Sequence, residues 1–308
     1  MRRLLVLAFI WGWSFLFIKV AVEGLTPSTV AWARITLGAL VLYAFLRQRR
    51  VALPTDRLML RHFAVMAVVG TAMPFTMLAW GEQRISSALT AVLNASTPLF
   101  TALFAASLGQ ERLRRGQLGG LAIGVVGVAV AAGLGGSDLE GSSVVGSLAA
   151  IGAGACYGLS ITYARRHLSD VPPLVSATGQ LVMGAVLLAP VALGTSVASG
   201  LSLSPTRVLA IALLGSIGTG FAFLLHYANI AEMGATKASL VTYLVPVVAV
   251  VVGILALDET FEWRLPVGGA LTVAGIAAVT SRRGAAAAEP PAGLEPATAA
   301  DPVSSRPL

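Results

Sequence analysis

Apolar runs about twenty residues long recur from one end of the chain to the other, separated by short stretches that hold most of the charges. A helix needs about 20 predominantly apolar residues to cross a hydrocarbon core, because without water every backbone N–H and C=O must be satisfied internally. Ten segments meet that requirement: 4–22, 28–46, 63–83, 86–108, 116–134, 144–164, 172–194, 208–231, 236–257 and 265–281. Several of them, notably 86–108, 116–134 and 144–164, contain no charged residue. The pattern predicts an all-α integral membrane protein. With about 20 residues per span, the nine connections average only about nine residues each, which leaves no room for a soluble catalytic domain. The stretch 282–308 is rich in Ala, Pro and Ser without apolar periodicity and is expected to be a disordered tail.

Composition sharpens this picture. Hydrophobic residues make up 56% of the chain and charged residues 11%, against about 25% charged in soluble domains. Together with a mean hydropathy of +0.83, that balance excludes a soluble enzyme, a disordered chain and a nucleic-acid-binding module. A single cysteine, Cys156, excludes a disulfide framework and a Cys-based zinc or iron–sulfur site. No metal or cofactor is expected. The partners implied are a small-molecule substrate and the lipid bilayer, and nothing in the chain specifies an oligomeric state.

The net charge of +7 is a topology signal. Arg2, Arg3, Arg47, Arg49, Arg50, Arg57, Arg61, Arg112, Arg114, Arg115, Arg165, Arg166, Lys237, Arg282 and Arg283 fall on one side of the ten spans. Arg84, Arg207 and Arg264 fall on the other, diluted by Glu23, Glu82, Asp138, Glu140, Asp258, Glu259 and Glu262. Both termini are therefore expected in the cytoplasm, with the chain in the inner membrane.

The chain also repeats itself. Adding 146 to Trp11, Gly12, Ser14, Lys19, Pro27, Arg34 and Gly38 gives Tyr157, Gly158, Ser160, Arg165, Pro173, Gln180 and Gly184. Adding 148 to Gly70, Thr71, Phe75, Pro98, Glu111, Gly120 and Gly127 gives Gly218, Thr219, Phe223, Pro246, Glu259, Gly268 and Gly275. Residues 1–137 and 138–281 are thus expected to be two copies of one five-helix unit. Because five is odd, the second copy crosses in the opposite sense, a device recurrent in secondary transporters. The beginning, Met1-Arg2-Arg3 and an apolar run, also fits a secretory signal. Its counterpart in mid-chain favours a retained helix.

Several of these segments resemble a known family. Trp11-Gly12-Trp13-Ser14, Arg34-Ile35-Thr36, Ser87-Ala88-Leu89-Thr90 leading to Thr97-Pro98-Leu99 and Glu111, and Ala238-Ser239-Leu240 leading to Tyr243-Leu244-Val245-Pro246 and Asp258-Glu259-Thr260 look like the paired EamA domains of the drug/metabolite transporter superfamily. The resemblance implies a ten-helix carrier with a central cavity, commonly an exporter of amino acids or other small metabolites. Importer, exchanger, non-transporting membrane partner and intramembrane enzyme are the alternatives. The last has little support, since one intramembrane histidine and no mid-span carboxylate do not make a hydrolytic centre. Gln180 stands where the first copy has Arg34, so a role for the arginine does not carry into both halves.

Candidate substrate contacts follow from polarity inside the spans. Ser87, Thr90, Asn94, Thr97 and Thr101 are spaced along one helical face and would line a wet cavity or bond to neighbouring helices. Ser216, Thr219 and His226 form a shorter stripe. His226, the only histidine in a span, suits substrate contact, proton coupling or packing as a neutral ring. Arg34 is a candidate anion anchor that could also snorkel outward or pair with Glu23 or Glu82. Ser14 lies beside Trp11, and Trp11, Tyr157 and Tyr243 offer stacking surfaces. Pro98 and Pro246 predict mid-helix kinks suited to gating. Glu111 and Glu259 are expected to pair or to cap the helix that follows each.

Overall fold

The computed structural model describes residues 2–111, 113–133, 141–233 and 241–286, and all regular structure among them is helical. Taken as continuous rods, the helices are α1 (Arg2–Val22), α2 (Pro27–Gln48), α3 (Arg57–Glu82), α4 (Ser87–Ser107), α5 (Arg115–Ala131), α6 (Gly141–His167), α7 (Pro173–Ser199), α8 (205–233), α9 (Val241–Leu257) and α10 (Arg264–Ala286). Among the described residues, seven (α1–α4 and α6–α8) are long and apolar enough to cross a membrane, while α5, α9 and Arg264–Thr280 of α10 are shorter apolar helices. The expected span ends at 134 and 236–240, together with Arg112, Lys237, Asp138, Glu140 and 287–308, lie outside the described residues. Helix α10 runs on to Ala286, past the boundary expected at 281.

Local chemistry sets the helix starts. Thr26, Asp56, Ser86 and Ser204 are N-caps whose side-chain oxygens accept from the backbone N–H of Thr29, Met59, Leu89 and Arg207. Asp56 accounts for the one clear shift in a start: it begins α3 at Arg57, a turn and a half ahead of the apolar run expected from 63, through a polar stretch that hydropathy alone does not read as helix.

Two rods contain π-helical stretches, Val68–Ala72 in α3 and Leu213–Phe221 in α8. In α3 the wider turn precedes Pro74, which lacks an N–H and crowds the carbonyl one turn back. In α8 Thr219 Oγ1 donates to Leu214 O at 3.1 Å, five residues back. The two stretches occupy corresponding positions at the offset of 148.

Helix α4 is not continuous, which corrects the expectation of one unbroken polar face. Its first segment ends at Asn94, and a second begins at Thr97 with Pro98 in its opening turn. Pro98 therefore starts a segment, where its missing N–H costs no hydrogen bond, whereas Pro246 lies buried inside α9. Ser96 Oγ donates to Leu93 O at 2.6 Å and Thr97 Oγ1 to Asn94 O at 2.9 Å, so hydroxyls satisfy carbonyls freed by the break.

The rods pack mainly as α5 against α10, α3 and α4 against α6, α2 against α7 and α8, and α1 against α8 and α9. Close approaches recur at the repeat offsets. A Cβ on Gly12 would lie 2.5 Å from Val248 Cβ and 3.2 Å from Ala249 N; one on Gly158 would lie 2.8 Å from Phe100 Cβ and 2.7 Å from Thr101 N. Between α5 and α10, a Cβ on Gly127 would lie 2.7 Å from Gly268 O, and one on Gly275 would lie 2.6 Å from Gly120 O. Small residues here let backbones touch, which is how helices associate where lipid removes the hydrophobic drive. A hydroxyl cluster fastens α2 to α7, with Ser28 and Thr195 at 2.7 Å and Thr29 and Ser196 at 2.7 Å.

Candidate functional site

Arg34, two turns into α2, is 8% exposed and points into the bundle. Its Nε donates to Thr219 Oγ1 of α8 at 2.8 Å. The guanidinium carbon stands 3.9 Å from the centroid of the Phe75 ring of α3, a cation–π contact that offsets part of the desolvation of the charge. Phe75 in turn meets Tyr157 of α6 edge-on, with ring centroids 6.3 Å apart. Four rods, α2, α3, α6 and α8, thus converge on one buried cation. Snorkelling and pairing with Glu23 or Glu82 are both corrected by this geometry, for Arg34 makes no ion pair within 4.0 Å among the described residues. Its Nη nitrogens donate no hydrogen bond among the described residues either, and so remain available to an anion.

Trp11 and His226 come together as a second pair, with ring centroids 5.3 Å apart. Asn94 sits at the break in α4, half-buried, with an amide Oδ1 that is shielded from solvent and has no partner among the described residues. Tyr243 is half-buried on α9, one turn before Pro246.

Three hydroxyls of the α4 stripe, those of Thr90, Thr97 and Thr101, turn back on their own rod. Thr90, fully buried, donates to Ser86 O at 2.9 Å, and Thr101 to Thr97 O at 2.9 Å. Ser14 donates to Ile10 O at 3.1 Å, and a Cβ on Gly218 would lie 2.8 Å from its Oγ. These bonds remove most of the free polarity that the spacing of Ser87, Thr90, Thr97 and Thr101 suggests.

Two acidic residues differ from expectation. Glu259 caps a helix of the other half instead of the one that follows it: its carboxylate accepts from Ser87 N at 2.7 Å and Ala88 N at 3.1 Å, at the start of α4. Asp258, at φ 53°, makes the left-handed turn that ends α9 and aims Glu259 there. Glu82, read from the sequence as an outer-loop charge, is 0% exposed. Glu111 forms an ion pair with Arg165 at 2.8 Å. Phe75 enters the sequence reading only as a repeat position matched by Phe223, one turn beyond Thr71, and not as a candidate contact.

Two copies of one pattern are also found by comparison, since the EamA-like transporter family matches residues 3–133 and again 144–281. The chain belongs to the EamA-like transporter family. It is therefore a membrane transporter of the drug/metabolite type and not an enzyme. Its relatives include the inner membrane transporter YedA of Escherichia coli, 30% identical over 84% of each chain. The transporter YoaV of Bacillus subtilis is 23% identical over 90% of this chain and 94% of its own. A probable terminal-alkyne amino-acid exporter of Streptantibioticus cattleyicolor is 27% identical over 88% of this chain and 90% of its own. A solved crystal structure, 20% identical, shares the fold with a TM-score of 0.63 over 91% of this chain and 96% of that one.

Proposed function

We propose that this EamA-family chain is a secondary carrier of the inner membrane that exports amino acids or similar small metabolites by alternating access. In this reading ten helices span the bilayer as two inverted five-helix repeats, 1–137 and 138–281, with both termini in the cytoplasm. The observation that carries it is the recurrence of close contacts at the repeat offsets: Gly12 on Val248 and Ala249, and Gly158 on Phe100 and Thr101. A bundle whose halves interlock by the same contacts, used twice, has two alternative packings of similar energy, which alternating access requires.

Arg34 serves as the anchor for a substrate carboxylate through its Nη nitrogens, beside the Phe75 ring on which its guanidinium stacks. The Asn94 amide at the α4 break supplies a further polar contact. Trp11 with His226, and Tyr243, form aromatic walls that suit an apolar side chain. Pro98 and Pro246 mark where α4 and α9 bend during the cycle. The probable terminal-alkyne amino-acid exporter of Streptantibioticus cattleyicolor supports the substrate class, and YedA supports the membrane.

The test is uptake into inside-out vesicles of a panel of radiolabelled amino acids, with and without an imposed pH gradient and with empty-vector vesicles as blank. Accumulation of at least one amino acid above the blank is expected, and a gradient dependence would identify proton coupling. No accumulation of any amino acid would overturn the substrate class.

A further inference from the structure

Glu82 closes α3 and is the only buried acidic side chain among the described residues. Both carboxyl oxygens are shielded from solvent and have no hydrogen-bond partner there. The ionisable groups around it come from three elements. Lys19 of α1 holds the corner after α3, but its ammonium donates to the backbone carbonyls of Glu82 at 2.6 Å and Ile85 at 2.9 Å. Arg34 of α2 is occupied two turns deeper with Thr219 and Phe75. Glu259, from the connection after α9, is committed to the first N–H groups of α4. Helix α6 meets this end of α3 through Gly146 and Ala149, opposite Gly81, and brings no charge to it, its Tyr157 lying beside Phe75. The first segment of α4, Ser87–Asn94, has no ionisable side chain.

An ionised carboxylate sealed away from water without a partner is strongly disfavoured, and such a group neutralises instead. We propose that Glu82 is a proton-binding site on the transport cycle: a carboxylic acid while the outer end of the bundle is shut, and a carboxylate paired with Lys19 when it opens. This rests on the carrier reading and its orientation. When the corner at 82–86 loosens and admits outer water, the carboxyl O–H bond breaks. The proton leaves to that water and the electron pair stays on the Glu82 oxygen. Lys19 Nζ then leaves the two carbonyls and donates to the carboxylate, and closure reverses each step. The shut state thus binds one proton more than the open state. Low external pH favours closure, with a limit of about tenfold in the equilibrium per pH unit.

The sign and the residue are testable without a known substrate. Cys156 is the only cysteine, so Cys156→Ser leaves a blank background for Ile85→Cys at the corner that Lys19 holds. Labelling of that thiol by an impermeant maleimide is measured between about pH 6 and pH 8, with and without Glu82→Gln. With Glu82 present the rate is expected to climb by up to about tenfold per unit beyond the thiol's own titration. With Glu82→Gln only the thiol's titration should remain, and identical pH profiles would overturn the proposal. A second measurement needs no variant to fold: infrared spectroscopy of the unaltered protein at neutral pH should show the C=O stretch of a buried carboxylic acid. Its absence would overturn the proposal as well. Neither readout depends on amino-acid uptake, so a failed vesicle assay and a failed Glu82 assay remain separate results.

Discussion

Arg34 shows how a single charge can be held inside an apolar bundle. Its Nε is spent on Thr219 and its face on Phe75, which leaves the Nη edge as the part with something still to bind. A hydrogen bond to a charged group is worth about 1.5–3 kcal/mol, so losing the proposed carboxylate contact in Arg34→Gln should weaken substrate binding roughly ten- to a hundredfold. Arg34→Lys keeps the charge but not the planar stack or the Nε donor, and should restore only part of the affinity. Concentration-dependent counterflow in proteoliposomes checks both; unchanged half-saturation in Arg34→Gln would remove the residue from the site. Thr90 makes the opposite case. Its hydroxyl bonds its own rod and is fully buried, so Thr90→Val should leave counterflow within about twofold and cost only about 0.6 kcal/mol of stability. A large transport defect in Thr90→Val would instead place that hydroxyl at the substrate.

At the scale of elements, backbone contact between small residues does what side-chain burial does in water-soluble proteins. Gly127 of α5 faces Gly268 O and the backbone of α10, whereas Gly119, on the same rod, has open space where a side chain would go. Gly127→Leu should therefore push α5 off α10 and cost about 1–3 kcal/mol, seen as a fall of several degrees in the melting temperature in detergent. Gly119→Leu, with the same added volume, should melt as the unaltered protein does. Equal effects from both would mean that the α5–α10 seam is not a tight contact. The same contrast shows what sequence can and cannot read. Apolar runs located the helical rods among the described residues because hydrophobicity is a property of whole segments. The break after Asn94 was invisible because Ser96 and Thr97 look like any other polar stripe until they are seen capping Leu93 and Asn94 carbonyls. Arg34 and Tyr157 were legible as polar residues in apolar surroundings. Glu82 was not, because a charge at the end of a run is ordinarily an interfacial residue, and only tertiary packing buries it.

For the whole molecule, the repeat and the charge distribution make one joint statement about direction. In the proposed arrangement, two copies of a five-helix unit with like folds enter the membrane from opposite sides, and nothing in the apolar seams, which serve both copies alike, decides which side is which. The decision falls to the connections, where Arg and Lys resist translocation. Residues 49–56 carry Arg49 and Arg50 with Arg57 following, whereas the corresponding connection of the second half, 200–204, carries no basic residue. A reporter inserted at 200–204 should therefore be active only as an exported enzyme, while one at 52–54 or fused after Leu308 should be active only as a cytoplasmic one. The decisive variant follows from the same physics. Placing three arginines in the 200–204 connection and removing Arg49, Arg50 and Arg57 should give the two halves conflicting instructions, lowering expression or producing molecules of mixed orientation. A reporter at 200–204 that reads cytoplasmic in the unaltered chain would overturn the orientation, and with it the assignment of the Glu82 corner to the outer face.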